Sequence, residues 1–309
     1  MPHAGELAAL ATAACWVASA LAFEGAGRRI GSLTVNLLRL VMAAGLLALW
    51  GWAVRGLAWP ADASPHAWRW LTVSGLVGFT FGDLCLFRAF VVLGSRLSIL
   101  MMSLAPPVAA LLGWLVLGEV LSALDLAGMA LTVGGVAWAV AERQRLRPAG
   151  VPGARPGPPP PLDPERRRLE GVLLGAGGAL GQAGGLVLSK LGMGGYDPFA
   201  ATHVRVLAGL AGYVVLFTLL GRWRRVGAAL GERAALGFTA VGAFFGPFLG
   251  VSLSLLAVQR IEAGVAASIM ATTPVLILPV VVLSGRERVG PGGVLGALVA
   301  VAGVVLLFQ

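Results

Sequence analysis

The sequence predicts an all-α integral membrane protein with ten transmembrane helices arranged as two inverted five-helix repeats. Three observations predict this fold: the composition, the number of apolar runs long enough to cross a bilayer, and a repeat that relates the two halves of the chain. Of the 309 residues, 58% are apolar and 12% are charged, and the mean hydropathy is +0.87. Soluble domains carry about 25% charged residues, so the composition argues against a soluble enzyme or a nucleic-acid binder.

Ten runs approach the length of about 20 helical residues that a hydrocarbon core about 30 Å thick requires. Five of them carry no charged residue, three include one or two, and two are shorter. In chain order the predicted spans are 7–23, 33–54, 70–92, 97–118, 123–141, 171–189, 199–220, 234–258, 263–285 and 289–309. The first span is expected to be a membrane helix and not a cleaved signal, because residues 1–6 contain no Lys or Arg.

The long hydrophilic stretch 142–170 contains eight prolines and seven arginines. Such a segment cannot bury enough apolar surface to fold, and proline favours an extended chain. It is predicted to be a linker between a first five-helix repeat, 1–141, and a second, 171–309. A proline-rich ligand for an aromatic groove is the alternative.

Residues 78–136 align with residues 246–304 at an offset of 168 positions. The matches include glycine, proline and glutamate, which hydrophobic similarity alone would not place in register. The aligned pairs include Gly78 with Gly246, Gly82 with Gly250, Pro106 with Pro274, Glu119 with Glu287, and Gly128 with Gly296. Because each repeat has five spans and the linker adds none, the second repeat must enter the membrane from the opposite side. Transporters often use this design, with the substrate site near the midplane between the repeats.

Three charged residues within the spans are candidate substrate-binding residues. An ionised side chain at a helix centre costs about 2.5–3.5 kcal/mol, so each should face the bundle interior. Arg39 and Arg205 align at an offset of 166; they could hold a carboxylate by forked hydrogen bonds, or reach the interface or an acidic partner. Asp83 aligns with Val251. It is predicted to couple proton movement to transport, or else to pair with Arg88 or Arg39.

The other candidates are polar, kinking or small residues. Four are expected to reach the central cavity, although a lone histidine is more often a hydrogen-bonded core residue: Trp16, Asn36, Gln182 and His203. Four prolines are expected to bend the fourth and ninth spans: Pro106, Pro107, Pro274 and Pro279. Four glycines have spacing that lets helices approach closely: Gly78, Gly82, Gly246 and Gly250. Glu119 and Glu287 are expected to make helix-end contacts at the membrane surface.

Several of these stretches resemble EamA-type transporters of the drug/metabolite transporter (DMT) superfamily. They are Arg88-Ala89-Phe90, Ala105-Pro106-Pro107, Gly113-Trp114 and Leu117-Gly118-Glu119, with a second copy in Thr273-Pro274 and Arg286-Glu287. The resemblance covers both halves and implies ten helices around a central cavity near a pseudo-twofold axis. It also implies a lysine closing the first helix of each half, and Lys190 fits that position. Glu24 departs from the pattern, since it stands where the first such lysine would be.

The predicted function is secondary active transport, as an exporter of small metabolites such as amino acids, amines or drugs, by alternating access in the cell membrane. The expected partners are a small-molecule substrate and the lipid bilayer, with no nucleic acid, and the chain is expected to be a monomer or homodimer without a cofactor or metal. The alternatives are a membrane-embedded enzyme acting on a lipid, for which convergent acid, base or metal-binding residues are not seen in the sequence, and a structural bundle.

Two arguments give opposite orientations of the termini. With both termini in the cytoplasm, the inside loops hold only four basic residues: Arg55, Arg69, Lys190 and Arg260. The positive-inside rule therefore favours both termini outside, while the family resemblance implies both inside.

Overall fold

A computed structural model describes residues 3–145, 164–283 and 290–309, and these ranges are helical with short connections and no strand. The α-helices are α1 Ala4–Ile30, α2 Ser32–Arg55, α3 Pro65–Gly75, α4 Asp83–Met102, α5 Ala105–Leu112, α6 Ala123–Arg145, α7 Pro164–Met193, α8 Pro198–Leu219, α9 Trp223–Leu230, α10 Arg233–Ala243, α11 Val251–Arg260, α12 Ala263–Met270, α13 Thr273–Leu283 and α14 Pro291–Leu306. Three π-helical segments, Leu76–Gly82, Gly113–Leu117 and Phe244–Gly250, continue α3, α5 and α10. The prediction of an all-helical fold is confirmed.

Seven of the described helices are long and apolar enough to cross a membrane, and three shorter apolar ones accompany them. The long ones are Ala4–Ile30, Ser32–Arg55, Pro65–Ala89, Ala123–Glu142, Leu169–Met193, Pro198–Leu219 and Arg233–Arg260; the shorter ones are Ala105–Leu117, Ala263–Ile277 and Pro291–Leu306. Large apolar side chains cover the outside of the bundle, where Leu49, Leu173 and Val215 are 60%, 63% and 58% exposed. An exterior of this kind suits lipid, as an integral membrane protein requires.

Local signals set the helix ends that bring the central residues into place. Gly31, with φ 80°, separates α1 from α2, and this left-handed backbone favours glycine. The Ser64 hydroxyl accepts a hydrogen bond from the backbone N–H of Ala67, and Asp197 accepts one from Ala200, so each caps a helix whose first residue is proline. These caps set the first residues of α3 and α8. Helix α3 leads through the first π-helical segment to Asp83, and α8 contains Arg205.

The first helix of each half packs across the third helix of the other half. Helix α7 lies along α3 and α4, and a Cβ placed on Gly185 would lie 2.9 Å from the Cα of Gly78. In the same way α1 lies along α10 and α11, and a Cβ on Gly246 would lie 2.5 Å from the Ser19 hydroxyl oxygen. Gly82 and Gly250 make similar close approaches, to Gly181 and Trp16. The two halves are therefore interlocked rather than side by side.

The last helices of the two halves, α6 and α14, pack directly against each other through glycine. Gly128 approaches Leu307, while Gly135 approaches Ala300, so residue numbers rise along one helix as they fall along the other. Equivalent helices that run antiparallel place the two repeats in opposite orientations. The prediction of inverted repeats is confirmed in this packing.

Two of the π-helical segments occupy equivalent places, since Leu76–Gly82 and Phe244–Gly250 differ by the repeat offset of 168. The sequence pattern does not indicate these segments, although Pro247 lies inside the second one. A π-helical turn inserts an extra residue and rotates the side chains that follow. In the first half the next residue is Asp83.

The prediction that prolines bend the fourth and ninth spans is wrong at three of the four positions. Pro106, Pro107 and Pro274 lie in the first turns of α5 and α13, after breaks at 103–104 and 271–272. A first-turn proline loses a hydrogen bond that the helix end does not make anyway, so these residues begin new helices and do not kink continuous ones. Pro279 does lie inside α13.

The predicted boundary between the third and fourth spans, at 92–97, lies within α4 (Asp83–Met102). A Cβ on Gly178 would contact Leu86, and a Cβ on Gly175 would contact Met101. Leu86 and Met101 would be about 22 Å apart along a straight helix, yet they meet neighbouring turns of α7. The chain therefore folds back within α4.

Helices also extend into the predicted linker, because α6 ends at Arg145 and α7 begins at Pro164. The rest of the linker, 146–163, and Glu287 lie outside the described residues.

Candidate functional site

Asp83 lies at the centre of a polar cluster where the two halves meet. Asp83 is 6% exposed. Its carboxylate forms an ion pair with Arg39 of α2, and Arg39 Nη2 donates a hydrogen bond to Asp83 Oδ2. Its other oxygen, Oδ1, accepts a hydrogen bond of 3.1 Å from Gln182 Nε2 of α7. A carboxylate from the first half is thus held by one residue of its own half and one of the other. Of the two ion pairs predicted for Asp83, the structure forms the one with Arg39, while Arg88 pairs with Glu170.

Arg205 of α8 lies close to this cluster and is only 6% exposed. Its guanidinium carbon is 5.2 Å from the ring centroid of Phe79, within the range of a cation–π interaction. Its charge attracts that of Asp83, but no hydrogen bond or ion pair joins it to any residue in the described ranges, and its Nε has no acceptor. The two repeat-related arginines therefore differ, because Arg39 has a carboxylate partner and Arg205 has none.

Three more buried polar atoms around Arg39 and Arg205 lack a partner within the described chain: Asn36 Nδ2, Arg39 Nε and Tyr213 Oη. Asn36 lies one turn before Arg39 on α2, and Tyr213 lies on α8 close enough to interact electrostatically with both Arg39 and Asp83. All of these groups can donate a hydrogen bond. A buried donor left unpaired costs about 1–3 kcal/mol, so the cluster is matched to an additional acceptor.

A second polar contact joins the halves at the membrane side where α7 ends, which we call the Lys190 side. Lys190 Nζ lies 2.5 Å from Glu119 Oε1 and donates a 2.6 Å hydrogen bond to the Ile261 carbonyl. Glu119 Oε2 accepts a 2.9 Å hydrogen bond from the backbone N–H of Ala263, the first residue of α12. A carboxylate at a helix N-terminus is favourable. We call the contact of Glu119, Lys190, Ile261 and Ala263 the clasp.

A model of the EamA-like transporter family matches residues 3–141 and 169–309. The chain belongs to the EamA-like transporter family. One solved structure, described as "Crystal structure of protein", is similar to this EamA-like chain with a TM-score of 0.72 and 18% identity, over 99% of this chain and 96% of the other. At that identity the similarity shows a shared fold alone. No curated protein matches significantly.

Membership explains the two-part architecture, because the family model matches once in each half. The EamA-like family is a family of transporters, and this member is a multi-pass membrane protein by its helices. In the described part of the chain, no three His, Cys, Asp or Glu side chains lie close enough to hold a metal ion.

The structure brings some predicted site residues together and not others. Arg39, Asp83 and Gln182 are in contact, and Arg205 is beside them. Trp16 lies on α1 against Gly250 of the second π-helical segment. His203 packs edge-on against Trp59 of the α2–α3 connection, with ring centroids 6.0 Å apart. His203 is thus a core residue near the Lys190 side of this EamA-like chain.

Three aromatic residues of the cluster were not predicted from the sequence. Phe79 lies against Arg205, Phe23 of α1 lies 5.4 Å from the Arg39 guanidinium carbon, and Tyr213 is fully buried. Phe79 precedes Asp83 by four residues, which was the one available signal. For Phe23 and Tyr213, the sequence does not indicate which side of α1 or α8 faces the cluster.

A smaller network outside the membrane spans lies on the Lys190 side. Tyr196 donates a 2.8 Å hydrogen bond to Asp62 Oδ1, and Arg55 pairs with the other Asp62 oxygen. Burial alone would raise the pKa of Asp62, but the hydrogen bond from Tyr196 and the charge of Arg55 lower it below its ordinary value. Burial, with Asp62 beside it, raises the pKa of Tyr196 to about 12.

Proposed function

We propose that this chain is a secondary active transporter that exports small organic metabolites through alternating access of its two inverted repeats. The observation that carries the proposal is the buried charged cluster at the contact between the halves, where Gln182 of the second half binds Asp83 of the first. Charged side chains are costly within a membrane and mark substrate or ion pathways. A bundle with only a structural role would have no need to place two arginines and a carboxylate there.

We also propose ten transmembrane crossings in the cell membrane. Seven long and three shorter apolar helices support this number. His3 stacks on Phe308 with ring centroids 5.9 Å apart, so the two ends of the described chain are on the same side, as an even number of crossings requires. The fold-back within α4 supplies the turn between the third and fourth crossings.

The geometry suggests how the halves move. Movement of one half against the other changes contacts between them, so the clasp, in which Glu119 of the first half binds Lys190 and Ala263 of the second, must break and re-form in each cycle. The Arg39–Asp83 pair lies within one half and can persist. The clasp closes the Lys190 side, and its release opens the path to the central cluster from that side.

Asp83 is the residue proposed to couple transport to protons. Protonation removes its charge, and the Arg39 pair weakens as a result. The positive charge of Arg39 is then no longer neutralised and the cluster attracts an anion more strongly, so binding of a proton and binding of an anionic substrate are linked. This scheme requires the carboxylate itself and not merely a hydrogen-bonding side chain.

The test is transport by the purified protein in proteoliposomes, after a metabolite efflux profile of cells with and without the chain has provided substrates. In the wild-type protein, an imposed pH gradient should change the transport rate, and Asp83→Asn should abolish that dependence. Glu24→Gln is the matched control, because Glu24 is an exposed carboxylate paired with Arg28 on its own helix. An unchanged pH dependence in Asp83→Asn contradicts the coupling role, and no difference in efflux contradicts transport.

A further inference from the structure

We infer that the transported molecule carries a single carboxylate group and that Arg205 binds this group. The inference rests on the proposed function and narrows it to one class of substrate. It depends on three features of the described residues: the charge balance of the cluster, the free hydrogen-bonding edge of Arg205, and the different partners of the two repeat-related arginines.

The charge balance favours a monoanion. Arg39 and Asp83 neutralise each other, so the cluster retains one positive charge on Arg205. A guanidinium remains protonated in proteins, and a buried charge without a partner is strongly unfavourable. A substrate carboxylate would make the cluster neutral, whereas an amine would add a second positive charge in the same low-dielectric space.

The Arg205 guanidinium has a buried donor, Nε, that no described residue accepts from. Phe79 covers the face of the guanidinium, and Asp83 is bound by other residues. Gly78 has no side chain beside Nη2, and a Cβ there would lie 3.2 Å from that atom. A planar guanidinium binds a planar carboxylate through two parallel hydrogen bonds.

Two other unpaired donors of the cluster also favour an anion. Asn36 Nδ2 and Tyr213 Oη are buried and have no acceptor within the described chain. A carboxylate offers only acceptor positions, about four on its two oxygens, so an anionic group suits a cluster that holds unpaired donors. An ammonium group offers no acceptor and would leave all of these donors unpaired.

The repeat explains why Arg205, and not Arg39, is the substrate residue. Asp83 supplies the carboxylate for Arg39, but the repeat counterpart of Asp83 is Val251. The second half therefore lacks the internal acid that the first half has. The substrate carboxylate pairs with Arg205 in the way that the Asp83 carboxylate pairs with Arg39.

The experiment measures binding to the purified protein by the rise in melting temperature with ligand concentration. The probes are phenylacetate, phenylacetamide and phenethylamine, which differ mainly in the terminal group, together with acetate, benzoate and leucine. We expect carboxylates to raise the melting temperature, with the amide and the amine without effect. Arg205→Gln should weaken carboxylate binding by about tenfold to a hundredfold, the range expected for a charge-assisted hydrogen bond.

Two variants separate the role of Arg205 from damage to the fold. Gly78→Ala leaves every charge in place but presses on the guanidinium, and it should also weaken carboxylate binding. Arg88→Gln removes an arginine whose side chain is 66% exposed and paired at the surface with Glu170, and it should bind carboxylates as the wild type does.

Preference for the amine, equal binding of amide and carboxylate, no carboxylate that binds, or carboxylate binding that survives Arg205→Gln would each overturn the inference. The proposed transport is judged separately by the efflux profile. If cells export molecules that carry no anionic group, the chain is a transporter and this inference is wrong. If nothing is exported, the transport proposal itself fails.

Discussion

The two halves of the molecule share an architecture but not a distribution of charge. Each half has a π-helical segment at the same place in its third helix, and each sends its first helix across the other half. Yet Arg39 is paired with Asp83, while Val251 stands at the position equivalent to Asp83 in the second half and Arg205 has no acidic partner among the described residues. Duplication thus preserved the packing residues, and the difference in charged residues gives the contact between the halves its chemistry.

The two membrane sides differ in a related way. On the Lys190 side, the halves are joined by the clasp, whose Lys190 and Glu119 side chains are 23% and 11% exposed. On the opposite side, the repeat counterpart of Lys190 is Glu24, which pairs with Arg28 on the same helix. The described ion pairs between the halves on that side are exposed, such as Arg29 with Glu232 at 3.9 Å. The less exposed ion pair between the halves therefore lies on the Lys190 side.

The largest expected effect comes from removing the acid that distinguishes the first half. Asp83→Ala leaves Arg39 buried without its partner and should lower the free energy of unfolding by about 3–5 kcal/mol. Arg205→Gln should lower it little or raise it, because it removes a charge that has no partner to lose. Chemical denaturation in detergent measures both. Equal losses in the two variants would contradict the difference between the arginines.

A second variant makes the halves alike. Val251→Asp gives the second half its own carboxylate, which should pair with Arg205, raise the melting temperature and weaken binding of an added carboxylate at least about tenfold, the loss of one charge-assisted bond. Val251→Asn is the control for size and polarity and should leave binding nearer to that of the wild type. Unchanged carboxylate binding in Val251→Asp would mean that an acid at position 251 does not pair with Arg205 in the way that Asp83 pairs with Arg39.

A third variant breaks the clasp. Lys190→Met removes the ion pair with Glu119 and the hydrogen bond to Ile261, at a cost of about 1–3 kcal/mol to the closed arrangement. Cysteines placed near the cluster should then react faster with a membrane-impermeant thiol reagent added from the Lys190 side. Lys190→Arg keeps the charge and should stay close to the wild-type rate. An unaltered rate in Lys190→Met would show that other contacts close this side.

The smallest effect concerns the Asp62 network, which lies at the same side but near the surface. Because the pKa of Asp62 is lowered in the folded protein, its contribution to stability is present above the ordinary pKa of a carboxyl group and is lost as the pH falls through the lowered value. Asp62 is 41% exposed, so Asp62→Asn should cost at most about 1 kcal/mol near neutral pH. Melting curves from pH 7 down to pH 3 should converge for the two proteins; divergence at low pH would contradict the sign.

The sequence was sufficient for the features that depend on repetition and spacing. The aligned pairs, such as Gly78 with Gly246 and Arg39 with Arg205, predicted where helices approach and which charges are related. The partner of Asp83 could not be predicted, because Arg88 is nearer along the chain and Arg39 is nearer only after folding. The π-helical segments were also missed, since an extra residue in a helical turn leaves no mark in hydrophobic periodicity.

The crossed arrangement of the first helices has a consequence for biogenesis. When the ribosome has completed the first half, the glycine face of its third helix at Gly78 and Gly82 still lacks the surface that α7 later provides. The nascent half must wait in the bilayer, with that face against lipid, until the linker has passed and α7 has inserted. Neither half can therefore fold as an independent domain, and the two halves form a single folding unit.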